Sequence, residues 1–101
     1  MSGEKKMNYW LSFCDPDRPK GSQFLGAILV ESERDFEGVV METHQRGVNP
    51  GGEIASFGFD DSDAPAEWLP KWKAAPKMVL LSRSELNHLG LDVTAIGEVT
   101  P

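Results

Sequence analysis

A chain of 101 residues, 40% hydrophobic and 26% charged, has the composition of one soluble globular domain and is too short to build a second core. Its net charge of −6 disfavours direct binding to the phosphates of nucleic acid. The single cysteine, Cys14, excludes an internal disulfide, and with only His44 and His88 as further soft ligands neither a metal nor a cofactor is expected.

Residues 1–7 read as a flexible lead into one domain over residues 8–101. "NYWLSFC" alternates, with Tyr9, Leu11 and Phe13 on one face and Trp10, Ser12 and Cys14 on the other, which predicts a strand over 8–14. "FLGAILVE", 24–31, is apolar on both faces, as in a central strand covered on each side. Gly26 within it marks a bulge or a close approach, and Trp10 on the neighbouring strand is the expected filler. In "SERDFEGVVMETHQRG", Ser32 with Asp35 resembles a capping box opening a helix over 32–46. Phe36, Val39, Val40, Thr43 and Gly47 follow the spacing of one buried helix face. Gly47 then suits the left-handed residue that ends the helix, and Pro50 prevents it from resuming.

"EIASFGFD" predicts a third strand with Ala55, Phe57 and Phe59 on one side, parallel to the second across the intervening helix. Pro65, Pro70 and Pro76 then limit any helix to a turn or two. "KMVLLS" reads as a fourth strand, and "SRSELNHLG" as a short C-terminal helix with a capping box from Ser82 to Glu85 and a stop at Gly90. The remainder, "LDVTAIGEVTP", is read as an edge strand or a frayed end. The sum is an α+β fold: a small mixed sheet of three to five strands, strand order open, with one main helix packed on one face.

Candidate sites fall mainly on two loops. In "RGVNPGGE" the side-chain-free amides of Gly51 and Gly52, with Asn49 and Glu53 beside them, can form a nest for an anion or carbonyl oxygen, or else serve as a plain turn. The pattern has neither the lysine and hydroxyl of a P-loop nor the helix that follows a dinucleotide-binding glycine loop. The connection 15–23 exceeds usual hairpin length and carries Arg18 and Lys20 as anion contacts, with Pro16 and Pro19 stiffening the loop.

Charge is uneven along the chain. Residues 31–67 hold ten acids against Arg34 and Arg46, a local balance of −8 that leaves +2 elsewhere. This belt either solubilises the chain or meets a basic protein surface. Asp60, Asp61 and Asp63 offer oxygen ligands without the glycine and distal glutamate of a calcium loop. With Trp68 and Trp72 these acids are candidate protein-interaction residues, the tryptophans alternatively folding back to cover the sheet. Cys14 paired with His44 or His88 would make a nucleophile and base, but nothing in the order of residues joins them.

"YWLSFCDPDRPKGSQFLGAILVE", "GVNPGGEI" and "LLSRSEL", in order from Tyr9 to Leu89, resemble a family of small bacterial and phage proteins with no assigned activity. The resemblance implies a compact accessory protein and transfers no catalytic residue. No run approaches the roughly 20 apolar residues of a membrane span, and "MSGEKK" lacks a secretory stretch, so a cytoplasmic location is expected. The reading that follows is a non-enzymatic binding module contacting a small anionic molecule or a protein segment through loops 15–23 and 47–53, with homo-oligomerisation open. Its alternatives are an acidic inhibitor or adaptor for a basic protein, and a small cysteine- or histidine-dependent hydrolase or transferase.

Overall fold

The computed structural model describes residues 6–91. Strand β1 (Met7–Cys14) lies between β2 (Phe24–Ser32) and β3 (Glu53–Phe59), and the two-residue β4 (Leu80–Leu81) pairs with the far side of β2. Every neighbouring pair is antiparallel, so β2 and β3 run parallel to each other with β1 inserted between them. That is the relation expected from the strand, helix, strand order, and β2 is internal as its two apolar faces require. Helices α1 (Phe36–Gln45), α2 (Leu69–Ala74) and α3 (Arg83–His88), with a 3-10 turn over Asp61–Asp63, complete an α+β fold. The expected edge strand or frayed end lies, from residue 92 on, outside the described residues. No helix among the described residues is long and apolar enough to cross a membrane.

Strand alternation sorts the core into two halves. Leu11 and Phe13 of β1, with Ile28 and Val30 of β2, pack beneath Val39 of α1. On the other face Trp10, Ala27, Leu29 and Phe59 lie under Trp68 and Trp72 of the proline-rich segment and Leu86 of α3. Trp68 and Trp72 are therefore core residues, 3% and 0% exposed. Their rings stack at 5.7 Å, and Phe59 meets both edge-on at 5.7 and 5.0 Å. Trp72 Nε1 donates to Glu31 Oε2 at 3.0 Å, giving the buried indole its polar partner. Lys77 Nζ donates to the carbonyls of Trp72 and Ala75 at 2.6 and 2.9 Å, capping the end of α2, and burial pushes its pKa below the usual lysine value.

Several boundaries depart from the expected ones. Ser32 stays in β2, opposite Met7, and its Oγ accepts from the Arg34 amide, because sheet pairing outcompetes an early helix start. Asp35 is the N-cap instead, accepting from the Gly38 amide at 2.9 Å. The buried face of α1 narrows to Val39 and Thr43, while Phe36 is 39% exposed. At the other end Gly47 has φ +74°, and the Gly47 and Val48 amides donate to the carbonyls of His44 and Thr43, the paired bonds of a left-handed helix stop. The Ser82 to Glu85 capping box and the stop at Gly90 stand as expected. Gly26, at φ +136°, admits β4 rather than Trp10: a Cβ there would lie 2.8 Å from the Leu81 carbonyl oxygen, whereas Trp10 pairs with Leu29.

Candidate functional site

β1 ends where β2 and β3 begin. Cys14 pairs with Phe24 on one side and Glu53 on the other, so the connections 15–23 and 47–53 arrive at the same end of the sheet. Each is internally braced. In the first, the Asp15 amide donates to the Gln23 carbonyl at 2.8 Å, and Gln23 Nε2 donates to the carbonyls of Pro16 and Arg18 at 3.3 and 3.0 Å. In the second, Asn49 Nδ2 donates to Thr43 Oγ1 at 2.9 Å while Asn49 Oδ1 accepts from the Gly51 amide at 2.7 Å. Asn49 and Gly51 thus spend these expected ligand-binding groups on tying the loop to α1. Gly52, φ +81°, lies so close to the Cys14 carbonyl that a Cβ would strike it. Its place is set by contact with β1.

Between these loops and α3 lies a cleft of about 520 Å³, within the range that holds small molecules, whose walls include Cys14, Gln23, Phe24, Glu53, Ile54 and Arg83. The Arg83 guanidinium sits 4.8 Å from the centre of the Phe24 ring, held there as a cation over an aromatic face. Its lining mixes apolar Phe24, Ile54 and Ala55 with polar Gln23, Glu53 and Arg83, the Ile54 side chain packing into the core on the α1 face. A second hollow, about 450 Å³, shares Phe24 and is bounded by Asp15, Arg18, Pro50 and Gly52. Arg18 pairs with Asp15 at 3.6 Å and keeps 54% of its side chain exposed, and Lys20 is exposed on the same loop.

The other candidates are dispersed. Cys14 is half-buried in the cleft wall, whereas His44 and His88 lie in the last turns of α1 and α3 and line no part of that wall. Asp61 accepts from Asn8 Nδ2 at 2.8 Å and pairs with Lys73 at 3.0 Å, and these contacts, the Asn8 bond foremost, hold its carboxyl below the usual aspartate range. Asp63 accepts from the Asp60 amide at 3.0 Å. Among the described residues no cluster of three histidine, cysteine or acidic side chains is placed to hold a metal. Nor do the acids of 31–67 form one belt. Glu33 to Glu42 lie on and before α1 over one face of the sheet, and Asp60 to Glu67 lie in the segment leading to α2 over the other.

Arg83 is the residue that sequence reasoning missed. Its only local mark is its place after the Ser82 cap, and it reaches the cleft because β4 pairs with Ala27 and Ile28, a long-range fact. The meeting of the two loops was accessible: antiparallel β1 and β2, combined with parallel β2 and β3, put both connections at one end. Compared with known proteins, the chain matches no protein-family model, no curated sequence and no solved structure.

Proposed function

We propose that this chain is a non-enzymatic binding module whose cleft, at the Cys14 end of the sheet, takes a small monoanionic ligand, a carboxylate with an apolar body. The observation that carries the reading is Arg83, stacked on Phe24 in the wall of the cleft in a protein of net charge −6. A guanidinium offers a carboxylate two parallel donors, and Phe24 and Ala55 supply surface for the apolar part. Glu53 in the wall opposes a second negative charge, which favours a single carboxylate over a phosphate ester. Arg18 and Lys20, exposed on the adjoining loop, add attraction at the approach. The test is a thermal-shift panel of aliphatic and aromatic carboxylates, inorganic phosphate and nucleotides. A carboxylate present at about 100 times its dissociation constant stabilises the folded state by about 2.7 kcal/mol, and Arg83→Ala abolishes that shift. A panel in which no carboxylate raises the melting temperature, or in which Arg83→Ala responds like the parent, overturns the reading.

A further inference from the structure

We propose that the outer edge of β3 takes an extended segment of a basic protein partner as an additional strand. This surface adjoins the cleft, whose wall includes Glu53, Ile54 and Ala55 of the same strand. Among the described residues β3 pairs with β1 alone, so the backbone groups on its other side lie at the boundary of the sheet. Natural edge strands are usually shortened, bulged, or guarded by lysine or proline against unwanted pairing. β3 has none of these guards: Glu53–Phe59 is seven residues long, its register against β1 is unbroken from Asn8 with Phe59 to Cys14 with Glu53, and its sequence holds neither lysine nor proline. The strand is also firmly mounted, with Phe57 and Phe59 packed into the aromatic core on one face and Ile54 into the opposite core on the other. An edge mounted by packing on both faces, and without these guards in its own sequence, is what strand addition requires, because main-chain bonds then form without reordering the host.

Charge selects the occupant. Glu53 stands exposed at one end of β3 and Asp63 past the other, where the neighbouring Asp61 is paired with Lys73. A second copy of this chain, added antiparallel about Ser56, brings Glu53 of each molecule toward the aspartates of the other, so like charges meet at both ends and self-pairing is opposed. A segment with an alternating, β-branched middle and lysine or arginine at each end meets opposite charges at both places.

The test uses three synthetic peptides with the same alternating threonine and valine core, flanked by lysines, flanked by glutamates, or lysine-flanked with a central proline. Binding is read by fluorescence anisotropy, and β3 amides are followed by NMR hydrogen exchange. The lysine-flanked peptide binds on the order of tenfold more tightly than the glutamate-flanked one, the preference shrinks as salt rises, and the proline peptide fails. Alternate amides of β3, those facing away from β1, gain protection in the complex. Glu53→Lys and Asp63→Lys each reduce the preference for lysine flanks. Binding that leaves β3 exchange unchanged overturns the proposal. So does protection of the same amides in the peptide-free monomer, which means the edge is already covered, or protection that grows with protein concentration alongside a dimer in sedimentation, which means a second copy covers it.

Discussion

Alanine placed at Gly51 and at Gly52, one at a time, separates two costs that a double replacement would merge. Both residues have positive φ, +85° and +81°, so each substitution forces an L side chain into the left-handed region at about 1 kcal/mol. At Gly51 that is the whole cost, since no heavy atom lies within 4 Å of the added carbon. At Gly52 the methyl strikes the Cys14 carbonyl oxygen and lies 3.2 Å from Leu25 Cδ1. Backbone on one side and a packed side chain on the other leave little room to yield, and overpacking of this kind adds about 1–3 kcal/mol. The totals are about 1 kcal/mol for Gly51→Ala and about 2–4 kcal/mol for Gly52→Ala. For a domain of this size they correspond to losses in melting temperature of about 5 °C and about 10–20 °C. Thermal and urea denaturation of both variants, followed by far-UV circular dichroism, read the difference directly. Equal destabilisation would refute the contact between the glycine loop and β1, and with it the placement of loops 15–23 and 47–53 around one site.

Three further outcomes follow from other parts of the molecule. Gly47→Ala lowers stability by about 1 kcal/mol in urea titration, because the residue is left-handed and its surroundings are open. Trp72→Ala, at a fully buried site bonded to Glu31, costs about 3–5 kcal/mol and lowers the urea midpoint accordingly, whereas a surface tryptophan would cost little. Asp61 is held below its ordinary value of 3.8 by the Asn8 bond and Lys73, so the unfolded chain binds its proton more readily than the folded one. Its stabilisation is present above pH 3.8 and lost as pH falls through the depressed folded value, so the melting temperatures of wild type and Lys73→Met, separated near neutrality, converge in acid.

Local rules were legible wherever the chain decides its structure within one turn. The stops at Gly47 and Gly90, the Ser82 cap and the alternation of β1 each depend on residues a few positions apart, and each stands in the structure. Ser32 was misleading because its competing partner, Met7 on β1, is distant in sequence, and pairing kept it in the strand. Gly26 was rightly marked as a place of close approach, but its neighbour proved to be β4, whose two residues give no pattern of their own. The site divides in the same way. Loops 15–23 and 47–53 were visible as loops, and Arg18 and Glu53 stand at the two hollows, while Asn49 and Gly51 are occupied in bracing. Arg83, Phe24 and Ala55 come together only through strand order. Trp68 and Trp72 followed the economy of a two-faced sheet, in which large aromatics in a connecting segment are the available cover for an otherwise open face.

The most direct test of the binding-module account is a two-dimensional amide NMR titration of the wild-type chain and Arg83→Ala with an aromatic carboxylate such as benzoate and, separately, with inorganic phosphate. The account predicts saturable benzoate-dependent shifts confined to Gly21, Gln23, Phe24, Glu53, Ile54 and Arg83, the residues around the cleft, with little response to phosphate and a loss of saturation in Arg83→Ala. Shifts that fail to saturate, scatter over α1 and the Asp60 to Asp63 turn, or persist unchanged in Arg83→Ala would contradict it.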